Sequence, residues 1–316
     1  RGKIMLAFQL SLQLIILILV GFAVWRLGIV NESFDSSLTS FILNVALPCM
    51  IIKSFSAEYS SEQLINCAVL ILLSIVFLAL WFGIGQLLFK LYGGGYTGRI
   101  LRFGAMFTNF SFVGIPVVEA LYGQTGLLYF VVFILPIRMV YYSAAEPLLS
   151  PLGLEHGKRS FKENFKGWMS PPVVAVFIGL VLYITGFSFP PAIDKTISSI
   201  GAVSSPMGMI LCGISLGKNN IKSILRAKYL RMPLLRNIIM HALVTAIMYF
   251  IPVDPLVAKI VVIYAALPVA SLLAAFTIQY DPEPEARLES AGSVFFSILA
   301  CAVTIPFWAQ IAEYLF

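Results

Sequence analysis

Long apolar segments recur along the whole chain and are separated by short charged or turn-rich pieces. A helix needs about 20 apolar residues to cross the hydrocarbon core of a bilayer. We place predicted spans of about this length at 4–27, 36–56, 62–90, 101–122, 125–149, 169–187, 194–217, 231–251, 255–279 and 288–315. The sequence therefore predicts an all-α polytopic membrane protein with ten transmembrane helices.

The charge of the chain indicates membrane topology. Only 11% of the 316 residues are charged and 59% are hydrophobic, whereas a soluble domain has about 25% charged residues. The net charge of +6 is therefore not a signal for nucleic-acid binding. If the N-terminus is outside, the inner loops carry 14 Lys and Arg residues and the outer segments carry four. The positive-inside rule then predicts a plasma (inner) membrane protein with both termini extracytoplasmic.

Prolines at matching places divide the predicted spans into two similar halves. Pro48 and Pro116 lie in the second and fourth spans, and Pro206 and Pro268 lie in the seventh and ninth. Each half has five spans, and since five is odd the second half enters the membrane from the opposite side. Such an inverted repeat is typical of secondary transporters. We predict a first repeat at 1–150, a cytoplasmic linker at 151–168 and a second repeat at 169–316.

Pro116 and Pro268 are the prolines that point most directly to a binding site. Each is expected to break its helix, because proline lacks a backbone donor and clashes with the carbonyl four residues earlier. Within a membrane, such breaks persist only where they are buried in protein or line a wet cavity. The N-terminus of each half-helix carries a partial positive charge, so two of them facing one cavity favour an anionic ligand.

Four short motifs around these prolines resemble the auxin efflux carrier family. They are Asn44-Val45-Ala46-Leu47-Pro48, the segment from Asn109 to Gly123 with Gly114-Ile115-Pro116, Ser205-Pro206-Met207-Gly208-Met209, and Ala266-Leu267-Pro268. The resemblance covers nearly the whole chain. It implies a fold similar to that of the bile acid/sodium symporters, in which helices 1, 2, 6 and 7 form a scaffold that also makes a homodimer. Helices 3–5 and 8–10 then form a moving, elevator-type core whose broken fourth and ninth helices cross.

The same resemblance implies a substrate class. Members of the family move small organic anions, namely auxin in plants and malate- or malonate-like carboxylates in bacteria. This chain lacks the long hydrophilic loop of the large plant carriers and resembles a short prokaryotic member. Thr108 and Phe110 stand where the plant pattern has Pro and Thr beside Asn109. We therefore expect a carboxylate other than auxin as substrate.

The candidate substrate-binding residues surround the two predicted breaks, together with Pro116 and Pro268. Asn109 offers an amide donor and Ser271 a hydroxyl, while Gly114 permits close approach of the backbone. Asn44, four residues before the proline of the second span, is expected to face the crossing from the scaffold. Each polar residue also has a structural interpretation: an interhelical hydrogen bond for Asn109, a bond within its own helix for Ser271, and packing for Asn44.

Glu119 and Arg138 are charged residues in apolar spans whose roles the sequence leaves open. A carboxylate deep in a bilayer is costly unless it is paired or functional. Glu119 could bind Na⁺, carry a proton, or pair with Arg138, which in turn could clamp a substrate carboxylate. The corresponding functions are a carrier of a small organic anion or a sodium- or proton-coupled symporter. A membrane sensor that moves nothing is the alternative from another class.

The sequence shows no sign of an enzyme, a cofactor or a metal site. It contains no nucleophile–base pair, no HExxH and no cofactor motif. The four cysteines lack CxxC spacing and are interpreted as small buried apolar residues. We expect as partners a small organic anion, a coupling Na⁺ or H⁺, the lipid bilayer and a second copy of the chain, and no nucleic acid.

Overall fold

The computed structural model describes residues 2–55, 60–151, 170–218 and 225–316, and its regular structure there is helical. The helices are α1 Gly2–Arg26, α2 Glu32–Ser54, α3 Ser61–Leu91, α4 Tyr96–Met106, α5 Ile115–Leu149, α6 Pro171–Thr185, α7 Pro191–Gly217, α8 Ala227–Tyr249, α9 Pro255–Ala266, α10 Leu273–Tyr280 and α11 Pro284–Leu315. Apart from residue 151, the predicted linker 151–168 lies outside the described residues.

Several of these helices are long and apolar enough to cross a bilayer. Within the described ranges, six segments meet that criterion: α2, α3, α7, α8, α11 and the segment Phe110–Tyr141. The helices α6 and α9 and the second half of α1 add shorter apolar stretches. The predicted class of an all-helical, polytopic membrane protein is confirmed.

Neither Pro48 nor Pro116 interrupts its helix at its own position. Each lies two residues after a five-residue π turn, Ile42–Ala46 before Pro48 and Phe110–Gly114 before Pro116. A π turn bonds residues five apart, so it leaves room for a proline that lacks a donor and would crowd the preceding turn. The expectation that Pro116 breaks the fourth span is therefore wrong: the non-helical residues are 107–109, well before the proline.

In the second half of the chain, Pro268 does interrupt a helix. Helix α9 ends at Ala266 and α10 begins at Leu273, with Pro268 in the non-helical segment between them. Pro206, in contrast, lies inside α7 without a break. Gly123 has φ 64° and ψ −156°, so α5 consists of two helices that meet at a sharp bend. Glycine adopts this conformation without the steric penalty of a side chain.

Two ion pairs join opposite ends of α2 and α7. Lys53 near the end of α2 lies 2.6 Å from Asp194 in the first turn of α7. Lys218, just after α7, pairs with Asp35 in the first turn of α2. The two helices are therefore antiparallel, and each contributes an acid at its start and a lysine at its end.

A third ion pair is buried and joins α4 to the turn between α10 and α11. The Arg99 guanidinium donates to one carboxylate oxygen of Asp281 through Nε at 3.1 Å and Nη2 at 2.8 Å. Glu283 accepts a further bond from Nη2 at 2.9 Å. The Asp281 side chain is only 1% exposed. Loss of one partner here leaves a buried charge, which is far costlier than loss of an exposed pair.

We expect matched Asp-to-Asn substitutions to separate the two kinds of ion pair. Asp281→Asn should lower the free energy of unfolding by about 3 kcal/mol because it leaves Arg99 only partly compensated. Asp194→Asn, whose side chain is 36% exposed, should cost less than about 1 kcal/mol. Unfolding of the detergent-solubilised variants measures both values, and equal losses would contradict the structure.

Candidate functional site

The two interrupted segments lie directly against each other. Thr108 and Val269 form an isolated antiparallel bridge. The Asn109 N–H donates to the Pro268 carbonyl at 2.8 Å, and the Ala270 N–H donates to the Phe107 carbonyl at 3.2 Å. Each segment thus pairs with backbone N–H and C=O groups of the other segment that have no partner within their own broken helix. We call this contact, residues 107–109 against 267–271, the crossing.

Side chains from α8 and α11 complete the hydrogen bonds of the second interruption. The Val269 N–H donates to Ser297 Oγ at 3.0 Å, and the Ser297 hydroxyl donates to Asn237 Oδ1, also at 3.0 Å. The Cys301 thiol donates to the Ala266 carbonyl at 3.3 Å and accepts from Asn237 Nδ2. A buried polar group without a partner is costly, so this network stabilises the non-helical backbone. Asn237 and Ser297 are not among the residues predicted from sequence, although polar residues within apolar helices are the sequence signal that points to them.

Asn109 holds the start of the helix that leaves the crossing. The residue is 3% exposed, and its Oδ1 accepts the Phe112 N–H at 3.2 Å. Its Nδ2 points to the Cys212 thiol on α7 at 3.5 Å, and that thiol also lies beside Ser271. Cys212 and Cys301, which we interpreted from sequence as inert apolar residues, therefore both contact the crossing.

A narrow cleft follows the crossing and has a polar wall. Asn109, Ser111 and Ser271 contribute polar groups, and Leu43 and Tyr141 also line the cleft. The cleft measures about 20 Å³, which is room for about one water molecule. A carboxylate of several atoms needs more space, so the cleft is closed to such a ligand in this conformation.

Arg138 places a positive charge immediately behind this cleft. Its Nη2 donates to Ser111 Oγ at 3.2 Å, and its guanidinium carbon lies 5.0 Å from the centre of the Phe110 ring. Both Ser111 and Phe110 line the cleft. The guanidinium is buried, so its charge is screened less by water than a surface charge would be.

Glu119 lies elsewhere, in a second cavity between α5, α2 and α7. This cavity measures about 140 Å³ and is also lined by Lys53, Gln124 and Ser198. The Glu119 carboxylate accepts a hydrogen bond from Gln124 Nε2 at 3.4 Å. Among the described residues, Glu119 and Arg138 do not form the ion pair that the sequence allowed.

The remaining predicted residues occupy different positions around the crossing. A Cβ on Gly114 would lie 2.6 Å from Leu267 Cδ1, so this glycine permits close packing of the two interrupted helices. Ser271 lines the cleft, and Pro268 is buried on the other side. Asn44 does not face the crossing: it is exposed and donates to Ser40 Oγ at 3.0 Å. Its neighbour Leu43 lines the cleft instead, because the π turn Ile42–Ala46 changes which side chain points inward.

Comparison with known proteins identifies the family. The profile of a family described as membrane transport proteins matches residues 6–150 and 158–309. The chain belongs to this family. The resemblance carried by the proline motifs is thereby confirmed at family level.

Two archaeal relatives carry the same broad description. An uncharacterized transporter of Methanothermobacter thermautotrophicus is 25% identical over 312 residues, covering 95% of this chain and 96% of the relative. An uncharacterized transporter of Methanocaldococcus jannaschii is 26% identical over 231 residues, covering 69% of this chain and 71% of the relative. As a member of this family, the protein is a membrane transporter. Its substrate class is inferred from the chemistry of the candidate site. In the part of the chain that the structure describes, no group of three or more His, Cys, Asp or Glu side chains could hold a metal ion.

We expect Ser297 to be needed for the stability of the crossing. Ser297→Ala removes the acceptor of the Val269 N–H, and an unsatisfied buried donor costs about 1–3 kcal/mol. Ser290→Ala is the matched control, because within the described ranges that buried hydroxyl on the same helix donates only to the Arg287 carbonyl of its own helix. The control should change the free energy of unfolding by less than about 0.5 kcal/mol. Equal effects in denaturant titrations would contradict this role for Ser297.

Proposed function

We propose that this protein is a secondary transporter of a small organic anion, a mono- or dicarboxylate that binds at the crossing. The observation that carries the proposal is the contact between two interrupted helices beside a cleft with Asn109, Ser111 and Ser271 on its wall. Discontinuous helices that meet within the membrane are the usual site of substrate binding in secondary transporters. The buried Arg138 guanidinium next to the cleft favours a carboxylate, since its planar fork matches that group.

The proposal includes ten membrane spans in two inverted repeats, residues 1–150 and 169–316. The pairing of α2 with α7 supports it, because two elements related by an inverted repeat should make reciprocal contacts. The bonds Asp35–Lys218 and Lys53–Asp194 are reciprocal in this sense. The placement of both termini outside a cell membrane rests on the distribution of Lys and Arg over the loops.

Transport proceeds in this proposal by movement of a core against a scaffold. The scaffold consists of α1, α2, α6 and α7, and the core consists of α3–α5 and α8–α11. The two cavities fit this division, because each has walls from both groups: Leu43 of α2 closes the cleft, and α2 and α7 face Glu119. Sliding of the core can therefore open the cleft to one side at a time. The homodimer formed by the scaffold rests on the family resemblance.

A sodium- or proton-coupled symporter is the second candidate. The observation that favours it is the position of Glu119 in a cavity of about 140 Å³ between the proposed core and scaffold. A cavity of that size holds several water molecules, so an ion can reach the carboxylate. Coupling would then act at the interface of the moving parts and at a distance from the substrate cleft.

We expect purified protein in liposomes to take up small carboxylates, and substitutions at the cleft to reduce that uptake. Asn109→Ala and Ser271→Ala should each lower kcat/KM about tenfold or more, because hydrogen bonds to a charged ligand are worth about 1.5–3 kcal/mol. The matched control is Asn66→Ala on α3, an asparagine that donates to the Tyr129 hydroxyl at 2.9 Å. Its uptake should equal that of the wild type.

A panel of radiolabelled mono- and dicarboxylates provides the measurement. Wild-type rates in the Asn109→Ala and Ser271→Ala variants would argue against binding at the crossing. Saturable binding of a carboxylate without flux under any gradient would instead identify a membrane sensor.

The coupled mechanism has its own test in the same liposomes. If Glu119 binds the coupling ion, replacing external Na⁺ with K⁺ or abolishing the pH gradient should slow wild-type uptake. Glu119→Gln should then transport at a rate that depends on neither ion, because the amide cannot exchange a proton and binds Na⁺ weakly. Glu62→Gln, at the exposed start of α3, is the control and should keep the dependence of the wild type. Wild-type uptake that is independent of both the Na⁺ gradient and the pH gradient would rule out the coupled mechanism.

A further inference from the structure

Arg236 is a fully buried cation that the proposed mechanism has not used. It lies in the π turn Leu234–Met240 of α8 and is 0% exposed. Its Nη1 donates to the Ala105 carbonyl at 2.7 Å, while Nε and Nη2 have no hydrogen-bond partner in the part of the chain that the structure describes. Within the described residues, no carboxylate pairs with it. A charge at this depth is costly, so its presence in a membrane helix indicates a function.

The contacts of Arg236 lie where two half-helices end at the crossing. Ala105 belongs to the last turn of α4, and Tyr264 belongs to the last turn of α9. The guanidinium carbon lies 5.7 Å from the centre of the Tyr264 ring and 5.3 Å from that of Trp81. Arg236 thus donates to a carbonyl in the last turn of α4 and lies against a side chain from the last turn of α9.

Helix dipoles alone do not make the crossing attractive to anions. The helices that leave it each bring about half a positive charge at their N-termini, but the helices that enter it each bring about half a negative charge. The four partial charges nearly cancel. Selection of an anion therefore needs fixed cations as well: Arg138 lies behind the cleft, and Arg236 donates to the last turn of α4.

We propose that Arg236 adds a second fixed positive charge to that of Arg138 and thereby strengthens the selection of anions by the substrate cleft. Arg236 offsets the carbonyl charge of α4 and α9, so the positive N-termini of the two following helices act on the ligand unopposed. It does not line the cleft, and so it acts as a specificity-determining residue without contacting the substrate. This inference rests on the proposed function and assigns a further residue to the same site.

The layer between Arg236 and the cleft can transmit this effect. Thr108 lines the cleft, and its hydroxyl lies beside that of Tyr264, the residue whose ring covers the guanidinium. Both hydroxyl groups are buried, and among the described residues neither has a hydrogen-bond partner of good geometry. Charge interactions through buried protein are screened much less than interactions through water. The positive charge of Arg236 can therefore stabilise a bound anion across Thr108 and Tyr264.

Two substitutions at position 236 separate charge from hydrogen bonding. Arg236→Lys and Arg236→Gln both keep a donor for the Ala105 carbonyl, but only the lysine keeps the charge. For carboxylate uptake into liposomes, we expect Arg236→Gln to raise KM about tenfold, as a unit charge does at about 10 Å with an effective dielectric constant of about 20. Arg236→Lys should stay within about threefold of the wild-type KM, and kcat should change less than KM in both variants.

Arg102→Gln is the control for removal of another buried guanidinium. Arg102 donates to the carbonyls of Pro147 and Leu148 at the end of α5 and lies over the Phe89 ring. Its loss should lower the melting temperature and leave KM unchanged. Arg236→Met provides a folded neutral variant if the glutamine variant does not fold, because apolar replacement of a buried charge is often tolerated. It should show the same rise in KM.

The outcomes distinguish this inference from the proposed function. If the wild type transports carboxylates and the lysine, glutamine and methionine variants share one KM, Arg236 only supports the backbone and the inference is wrong. The proposed function then stands. If the wild type takes up no carboxylate, both are wrong. Raised KM in the neutral variants with recovery in the lysine variant supports both.

Discussion

The structure depends on one backbone contact, the pairing of two helix interruptions. Two hydrogen bonds, Asn109 N–H to Pro268 C=O and Ala270 N–H to Phe107 C=O, join segments about 160 residues apart in sequence. Unpaired peptide groups are too costly to persist in an apolar interior. Neither interruption could exist there alone, and each is the main partner of the other. The crossing therefore requires both halves of the chain to be folded and in contact.

Other backbone groups at the crossing bond to side chains of helices packed behind it. Ser297 and Cys301 of α11 bind the backbone of the second interruption, and Asn237 of α8 holds both of them in place. Arg236, the residue before Asn237 in α8, donates to the Ala105 carbonyl in the last turn of α4. One turn of α8 thus serves both interruptions. Its π-helical geometry brings Arg236 and Asn237, adjacent in sequence, to face the two parts of the crossing.

The sequence predicts the helical membrane fold and the approximate place where two interrupted helices meet, because hydropathy and proline pairs report these directly. It does not predict the details, for identifiable physical reasons. The π turn Phe110–Gly114 accommodates Pro116 without a break, and the non-helical residues are instead 107–109. The π turn Ile42–Ala46 turns Leu43 rather than Asn44 toward the crossing. Cys301 looks apolar in sequence, and only its distance to the Ala266 carbonyl shows a hydrogen-bonding role. Such contacts join distant segments, and no local pattern encodes them.

The bonds that support the crossing also bear on how a closed cleft could open. Among the described residues, those bonds come from the other interruption, α8 and α11, all of which belong to the proposed core. In the same described part of the chain, the hydrogen bonds from the crossing to the proposed scaffold both involve the Cys212 thiol, with Asn109 at 3.5 Å and with Ser271, and thiols form weak hydrogen bonds. Separating Leu43 and Cys212 from the crossing would therefore break little hydrogen bonding and leave the crossing intact. A site held together within one body and covered by another has the arrangement that alternating access requires.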